Sequence, residues 1–205
     1  MHEFIKSTQS LVPKMSMNYA KTGHSTQVIS PDAFVALGGY NNEKACAYCE
    51  EYSTYKDEWV ILPSLNSARR GAGTLLLNNK YLYAIGGEDS NSTIERLDIT
   101  QKNSWIFANL ASNELSIDAS PRAFLISDNE ALILSGNNTD EVGIYNINAN
   151  TIEKSEMTTI KDWYYRVNAC SIGSYVVVIG SLGNLVSYNL KTKKLEATPY
   201  SSIYP

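Results

Sequence analysis

The sequence predicts an all-β fold, a β-propeller of about four blades with four antiparallel strands in each. The first observation behind this prediction is a pair of glycines, Gly38-Gly39, which recurs 48 residues later as Gly86-Gly87, each time directly after an apolar run. The second is a tryptophan that follows each pair, Trp59 in the first unit and Trp105 in the next. A recurrence with a period near 50 residues is typical of one supersecondary unit repeated along the chain.

The repeat continues in weaker form toward the C-terminus. Two further apolar runs end at Ser135-Gly136 and Gly180-Ser181, so the steps from Gly38 through residues 86, 135 and 180 are 48, 49 and 45 residues. When the four units are aligned, a second set of equivalent positions keeps the same spacing. In each unit a Tyr or Leu is followed by a polar turn and then by a large apolar residue, and we call these positions the second column. Its pairs are Tyr52 with Trp59, Leu97 with Trp105, Tyr145 with Ile152, and Tyr188 with Leu195. We therefore divide a single domain, residues 1–205, into repeats at about 18–66, 67–112, 118–156 and 163–197.

Each unit has the pattern of four strands. In the second unit, residues 74–77 and 81–85 flank Asn78-Asn79-Lys80, and Asn tolerates the positive φ that tight hairpin turns require. These apolar runs suit inner strands, residues 94–98 alternate as a half-exposed third strand should, and the tryptophan opens a fourth. Four antiparallel strands per repeat are the pattern of a propeller blade. Strands are predicted near residues 33–37, 74–77, 81–85, 94–98, 124–126, 131–134, 143–147, 167–172, 175–179 and 185–189.

The glycine pairs, the Tyr or Leu column and the two tryptophans resemble the kelch repeat, over about residues 18–196. Repeats three and four keep one glycine of the pair and replace the tryptophan by Ile152 and Leu195. The resemblance implies a kelch-type β-propeller. In that fold the glycines turn the chain where a side chain would clash, and the indole fills the space between neighbouring sheets.

The first 17 residues resemble the remnant of a preceding blade, or a closing strand. Phe4–Lys6 matches a fourth strand, and Leu11–Met15 resembles Ile61–Leu65. Kelch propellers usually close with more than four blades, so four repeats predict either a small ring or a partial propeller. Apolar blade faces left open at the two ends would need cover. We therefore expect cover from self-association, from a partner in a larger complex, or from further sequence of a longer gene product, rather than a free monomer of this chain.

Composition limits the kinds of partner. The chain is 43% apolar and 19% charged with a net charge of −4, which is typical of a globular protein and gives no electrostatic reason to expect a nucleic-acid partner. No apolar run is long enough to cross a bilayer, and the N-terminus lacks the layout of a signal peptide. An odd number of cysteines, three, indicates a reducing compartment. We predict a cytoplasmic protein with no membrane partner.

No residue pattern points to a catalytic, cofactor-binding or metal site. Cys46 and Cys49 have the spacing of half a metal knuckle, but a second ligand pair is missing, and we expect both to be small buried hydrophobes. His2 and His24 are the only histidines, too few for the mononuclear metal site of the galactose-oxidase branch of the fold. The phosphate-binding loop, the dinucleotide fingerprint and the nucleophile elbow are all absent from the sequence.

The candidates for partner binding precede the glycine anchors. Counting 17 residues back from each anchor gives Lys21, Arg69, Asp118 and Trp163. These positions lie in the segment that enters each first strand, near the propeller axis, where Arg69, Arg70, Arg122 and Arg166 would form a basic rim suited to carboxylates. The full candidate set is Lys21, Arg69, Arg70, Arg122, Trp163 and Arg166.

The stretch Arg69–Gly73 is similar to one through which kelch-type ubiquitin-ligase adaptors hold acidic peptide motifs, using its first arginine. This likeness implies a protein or acidic-peptide partner. The alternative is that an arginine here fixes its own loop by bonding backbone carbonyls.

Two classes of function follow. The leading interpretation is a non-catalytic module that presents propeller loops to a partner protein or peptide. The alternatives are a small-molecule enzyme of the sialic-acid mutarotase kind, which also resembles kelch and needs no metal, and the substrate-recognition part of a ubiquitin-ligase adaptor. An enzyme would show an enclosed polar pocket on which carboxylates and arginines converge, whereas a binding module would show an open, mostly flat rim.

Overall fold

The computed structural model describes residues 1–90, 92–117, 120–135, 141–155, 168–179, 185–192 and 194–197. All regular structure in these ranges is β-strand, and four antiparallel sheets are arranged as a four-bladed β-propeller. The predicted fold class is confirmed. The same ranges contain no helix with the length and apolar character needed to span a membrane.

The four main strands of each blade follow one another from the inside outward. An N-terminal hairpin consists of β1 (His2–Ile5) and β2 (Ser10–Pro13). The first blade contains β3 (Ser25–Ser30), β4 (Ala33–Leu37), a small hairpin of β5 (Tyr40–Asn41) and β6 (Lys44–Ala45), β7 (Cys49–Ser53) and β8 (Glu58–Leu62). The second contains β9 (Gly73–Leu77), β10 (Tyr81–Ile85), β11 (Ile94–Asp98) and β12 (Ile106–Ala108). The third contains β13 (Ser112–Asn113), β14 (Arg122–Leu125), β15 (Glu130–Leu134), β16 (Val142–Asn146) and β17 (Thr151–Lys154). The fourth contains β18 (Asn168–Ile172), β19 (Tyr175–Ile179), β20 (Leu185–Asn189) and β21 (Lys194–Ala197).

The strand register confirms the second column of the repeat. Tyr52 lies opposite Trp59, and the column pairs of the third and fourth blades are likewise directly opposed. Every predicted strand overlaps an observed one. The predicted ranges gave no bounds for β3 or for the outer strands, and two short elements were missed: the β5–β6 hairpin, and β13, which pairs in parallel with the outer strand β17 of the third blade. Each strand of these elements has only two residues, too few to show a period.

The core consists of three apolar clusters, one at each junction between consecutive blades of the described chain. At the first junction, Leu37 and Leu62 of one blade pack on Leu82, Leu97 and Trp105 of the next. The second cluster joins blades two and three, and the third joins blades three and four. The blades are therefore held together face to face, by burial of apolar surface.

Glycine is required at the first position of each pair for steric reasons. Gly38 and Gly86 have φ values of +60° and +54°, and the backbone of the next blade passes very close to both. A Cβ atom on Gly38 would lie 2.3 Å from the carbonyl oxygen of Arg69, and one on Gly86 only 1.8 Å from that of Ile117. Any side chain at these positions would push neighbouring blades apart.

The N-terminal hairpin repeats the outer half of a blade. Residues of β1 and β2 pair in the register of β7 and β8, each residue 48 positions before its counterpart, as His2 opposite Pro13 matches Glu50 opposite Ile61. This corrects the expected alignment, because β1 takes the position of a third strand rather than a fourth. The Trp59 indole N–H donates to the Met15 carbonyl at 3.0 Å, as that of Trp105 donates to Pro63 at 2.9 Å. Met15 therefore corresponds to Pro63, two residues away from the match that the sequence suggested.

Gly86→Ala should destabilise the protein far more than Gly173→Ala. Both glycines have positive φ, +54° and +57°, but an added Cβ at Gly173 meets nothing within 4 Å. Left-handed backbone alone costs an alanine about 1–2 kcal/mol, and overpacking at Gly86 adds about 1–3 kcal/mol. Urea unfolding of the two variants measures the difference. Equal losses would show that blade spacing does not depend on this contact.

Trp105→Ala should cost more stability than Trp59→Ala. Trp105 is 3% exposed inside the first inter-blade cluster, and losing a buried tryptophan costs about 3–5 kcal/mol. Trp59 is only half-buried, since the β1–β2 hairpin covers it in place of a full blade. The sequence predicts that both indoles are buried and that Trp163→Ala costs less stability than either variant; Trp163 lies outside the described residues. Chemical denaturation of both variants measures this, and a larger loss for Trp59→Ala would contradict the packing.

Candidate functional site

Two buried carboxylates hold the segments that lead into the first and second blades. Glu95 accepts hydrogen bonds from the backbone N–H of Asn66 (2.7 Å) and of Ser67 (2.9 Å), and from the Asn66 amide (2.9 Å). Glu50 makes the equivalent bonds to Asn18 and Tyr19. Neither glutamate is exposed to solvent. We call the ten or so residues before each first strand the lead-in segment.

Arg69 belongs to two blades at once. Its guanidinium is fully buried, lies 2.5 Å from a Glu95 oxygen, and donates to the carbonyls of Gly86 and Thr93 at 2.9 Å each. Its own carbonyl accepts the N–H of Gly39 in the preceding blade at 2.8 Å. Burial lowers the pKa of Arg69, and the Glu95 charge opposes that shift. This residue is the joint between the first and second blades.

Lys21 occupies the same position in the first blade with a looser geometry. Its ammonium donates to the carbonyls of Tyr48 (2.8 Å) and Ala36 (3.3 Å) and lies 3.8 Å from a Glu50 oxygen. The side chain is fully buried, and this burial lowers the pKa of Lys21, while nearby Cys49 and Glu50 act in the opposite direction.

The third blade replaces this ion pair by apolar packing. The carbonyl of Ile117 accepts the N–H of Gly87 at 3.0 Å, as Arg69 does for Gly39, so Ile117 is the equivalent of Arg69. The sequence alignment had placed Asp118 there, and the structure corrects it by one residue; Asp118 itself lies outside the described residues. The carboxylate position, two residues before the column Tyr145, is Gly143, and a Cβ there would lie 3.0 Å from Leu115. Apolar side chains thus fill the volume that an arginine and a glutamate use in the second blade.

A cavity of about 1120 Å³ lies on the axis, where first strands of all four blades face one another. Its described lining is largely polar and includes residues of three lead-in segments. Arg70, Arg122 and Glu88 are the charged groups of this described lining, so their sum is one positive charge. We call this space the axial cavity.

Arg70 bridges the first two blades at the axial cavity. It forms an ion pair with Glu88, and its guanidinium carbon lies 5.1 Å from the centre of the Tyr40 ring. Its backbone also exchanges hydrogen bonds with Glu88, at 3.2 and 3.0 Å. Arg122 is half-buried and donates to the carbonyls of Pro121 (3.1 Å) and Ser120 (3.3 Å). The two arginines therefore line the cavity with fixed orientations.

His24 also lines the axial cavity. Burial lowers the pKa of His24 below its ordinary value, and the charge of Lys21 lowers it further. The imidazole is therefore neutral at neutral pH and adds no charge to the cavity.

Cys46 and Cys49 are buried free thiols, as expected, and burial raises the pKa of Cys49 to about 11. A protonated buried thiol is a poor metal ligand and a poor nucleophile. The described part of the chain contains no group of three or more His, Cys, Asp or Glu that could hold a metal ion.

The structure separates the predicted partner-binding residues into three groups. Lys21 and Arg69 are buried inside the blades, a placement that favours the alternative role of fixing the loop. Arg70 and Arg122 line the axial cavity. Trp163 and Arg166 lie outside the described residues. Of the stretch that resembles the adaptor sequence, it is the second arginine, not the first, that reaches the cavity.

Sequence reasoning missed the carboxylates. Glu50 and Glu95 had a detectable signal, because each stands two residues before the second column and accompanies a cation in the lead-in segment of its blade. The third blade lacks both the cation and the glutamate, since Ile117 and Gly143 stand at the equivalent positions. Tyr40 and Glu88 follow the two glycine pairs directly and had no comparable signal.

One comparison bears on the family. A RING finger domain and kelch repeat-containing protein of Dictyostelium discoideum is 36% identical to this chain over 78 residues, which are 36% of this chain and 8% of that protein. No family model matches the chain. A distant homologue that matches part of this chain is therefore named as a kelch-repeat protein. The four antiparallel sheets of this chain have the propeller arrangement that the kelch resemblance implied.

Arg69→Met should destabilise the protein by about 3–5 kcal/mol, because it leaves Glu95 buried without its counter-charge. Lys21→Met should cost less, since the Lys21–Glu50 distance is 3.8 Å against 2.5 Å for the Arg69 pair. Thermal and urea unfolding of both variants measure the difference. A loss below about 1 kcal/mol for Arg69→Met, the value of a surface pair, would contradict the role of this joint.

Proposed function

We propose that this chain is a non-catalytic protein-interaction module whose axial cavity binds an acidic segment of a partner protein. The propeller fold and the kelch-repeat homologue support an interaction module in general. The observation that supports the acidic ligand is the pair of arginines in the axial cavity, Arg70 and Arg122, against one carboxylate, Glu88. Substrate recognition within a ubiquitin-ligase adaptor is the narrower form of the same proposal.

The chemistry of the cavity suits carboxylates. A guanidinium presents a planar fork of donors that can bond both oxygens of a carboxylate, and each charge-assisted hydrogen bond contributes about 1.5–3 kcal/mol. Arg70 is held in place by Tyr40 and Glu88, so little side-chain entropy is lost on binding. An incoming carboxylate can bind Arg70 together with Glu88, or it can displace Glu88 from Arg70. We also propose a cytoplasmic location, because the three cysteines are free thiols, as is typical of proteins in a reducing compartment.

The alternative function is a small-molecule enzyme of the sialic-acid mutarotase kind. The polar lining of the axial cavity is the observation in its favour, since a flat rim would have spoken against it. Glu88 is the only carboxylate in the described lining and already pairs with Arg70, which leaves few groups for proton transfer. NMR of anomer exchange in N-acetylneuraminic acid tests this directly, and acceleration by the chain would favour the enzyme.

Selection from a library of short peptides that varies acidic content should return peptides rich in Asp and Glu. The doubly substituted Arg70→Ala/Arg122→Ala protein should bind the selected peptides at least tenfold more weakly, because two charge-assisted contacts are lost. Fluorescence anisotropy measures the affinities. Arg96→Ala is the matched control, since Arg96 also stacks on a tyrosine, Tyr81 at 4.8 Å, but does not line the cavity. Selection of neutral or basic peptides, or unchanged binding by the double variant, would contradict the proposal.

A further inference from the structure

We propose that the acidic segment bound in the axial cavity also carries a large aliphatic side chain, about two or three positions from its carboxylate. This inference rests on the proposed function and narrows the chemistry of its ligand. The observation behind it is that the described lining of the cavity changes along the axis, from a charged end to an apolar part.

The charged end lies beside the lead-in segments. Arg70 stands in the lead-in segment of the second blade, Glu88 directly follows the glycine pair of that blade, and Arg122 is the first residue of β14. In the first blade Thr22 and Tyr40 form the backbone bridge that Arg70 and Glu88 form in the second, and they line the same end. A carboxylate of the ligand therefore binds at this end, between the two arginines.

Further along the first strands of blades two and three, the lining becomes apolar. Leu76 on β9, together with Phe124 and Leu125 on β14, lines the cavity and is half-buried. Each of the three also packs against one of the inter-blade clusters, so the core holds them in place. Blades one and four contribute Gln27 and Ser171 instead. We call the part of the cavity lined by the three apolar residues its apolar half, and it lies on the two blades that carry the arginines.

Position along a first strand measures depth in the cavity, because neighbouring first strands run side by side in the same direction. The Ser25 hydroxyl donates to the Ala72 carbonyl at 2.7 Å, and the Thr74 hydroxyl donates to the Thr26 carbonyl at 3.3 Å, so the two bonds advance together along β3 and β9. The start of β9 likewise lies beside the start of β14, since a Cβ on its first residue would be 3.2 Å from the Pro121 carbonyl.

This geometry gives the spacing that the ligand needs. Phe124 and Leu125 follow Arg122 by two and three residues, which places them about 7 and 10 Å deeper at the rise of about 3.3 Å per residue of a strand. An extended peptide has the same rise, so a side chain about two or three positions from the carboxylate reaches the apolar half. A helical ligand would need about five to seven positions for the same depth.

A series of short fluorescein-labelled peptides tests the spacing on the 205-residue protein. Each peptide has two adjacent glutamates, one for each arginine, and one leucine in a Gly/Ser background. The leucine stands one to seven positions from the nearer glutamate, on either side. Leucine at two or three positions should raise the affinity at least tenfold over the leucine-free peptide, because its side chain is removed from water. Fluorescence anisotropy measures the affinities.

Leu76→Asn should remove most of the gain in affinity that the leucine gives, because it places a polar amide in the apolar half. Ile144→Asn is the matched control, since Ile144 is also half-buried against an inter-blade cluster but does not line the cavity. The readout is the ratio of affinities for the peptides with and without leucine in one preparation, which partial misfolding leaves unchanged. The spacing series needs no variant of the protein.

The outcomes separate this inference from the proposed function. No gain from leucine at any spacing, a gain only at five to seven positions, or an unchanged gain in Leu76→Asn would overturn the inference and leave the proposed function standing. Tighter binding of decanoate than of every peptide would assign the cavity to a free amphipathic acid and would also overturn it. Equal binding when serine replaces both glutamates would contradict the proposed function itself, and this inference with it.

Discussion

The architecture depends on the close approach of one carbonyl group to a pair of glycines. The Arg69 carbonyl bonds Gly39 N–H and leaves no room for a Cβ on Gly38, and the Ile117 carbonyl does the same at Gly87 and Gly86. This contact fixes the distance between blades and brings each lead-in segment to the axis. Arg70 and Gly71 follow Arg69 directly, so the lining of the axial cavity is positioned by the same contact.

The chain solves the packing of the lead-in segment in two chemically different ways. The first two blades bury a cation with a glutamate, and the glutamate also satisfies backbone N–H groups that would otherwise be orphaned. The third blade uses Ile117, Leu115 and Gly143, and the Leu115 N–H bonds the Asn113 side chain instead, at 3.0 Å. Because buried ion pairs often contribute no more stability than apolar packing of similar volume, the two solutions can coexist in one molecule. The repeat weakens in sequence there without weakening in structure.

Much of the fold could be predicted because it depends on short-range patterns. Apolar runs that end in glycine gave the inner strands, and the recurring Tyr or Leu gave the register that Tyr52 and Trp59 show. The site was less accessible, since Arg69 and Arg70 are neighbours in sequence yet one is buried and the other lines the cavity. Their difference depends on partners far along the chain, Glu95 for the first and Tyr40 for the second. The hairpin was misaligned by two residues because Pro13 and Pro63 offered a local match that the backbone pairing does not follow.

Arg69 bonds to two neighbouring blades, and this arrangement affects how such a chain can gain or lose blades during evolution. Its carbonyl completes the first blade and its guanidinium completes the second, so a boundary drawn between repeats at this residue would cut through both. Lys21, Arg69 and Ile117 are spaced by the same 48 positions, although the loops within the units differ in length. A gene duplication or deletion that preserves this interval rejoins a carbonyl to a glycine pair wherever its breakpoints fall. Unequal recombination that leaves each cation in the same unit as its glutamate can therefore add or remove whole blades while the remaining joints keep their geometry.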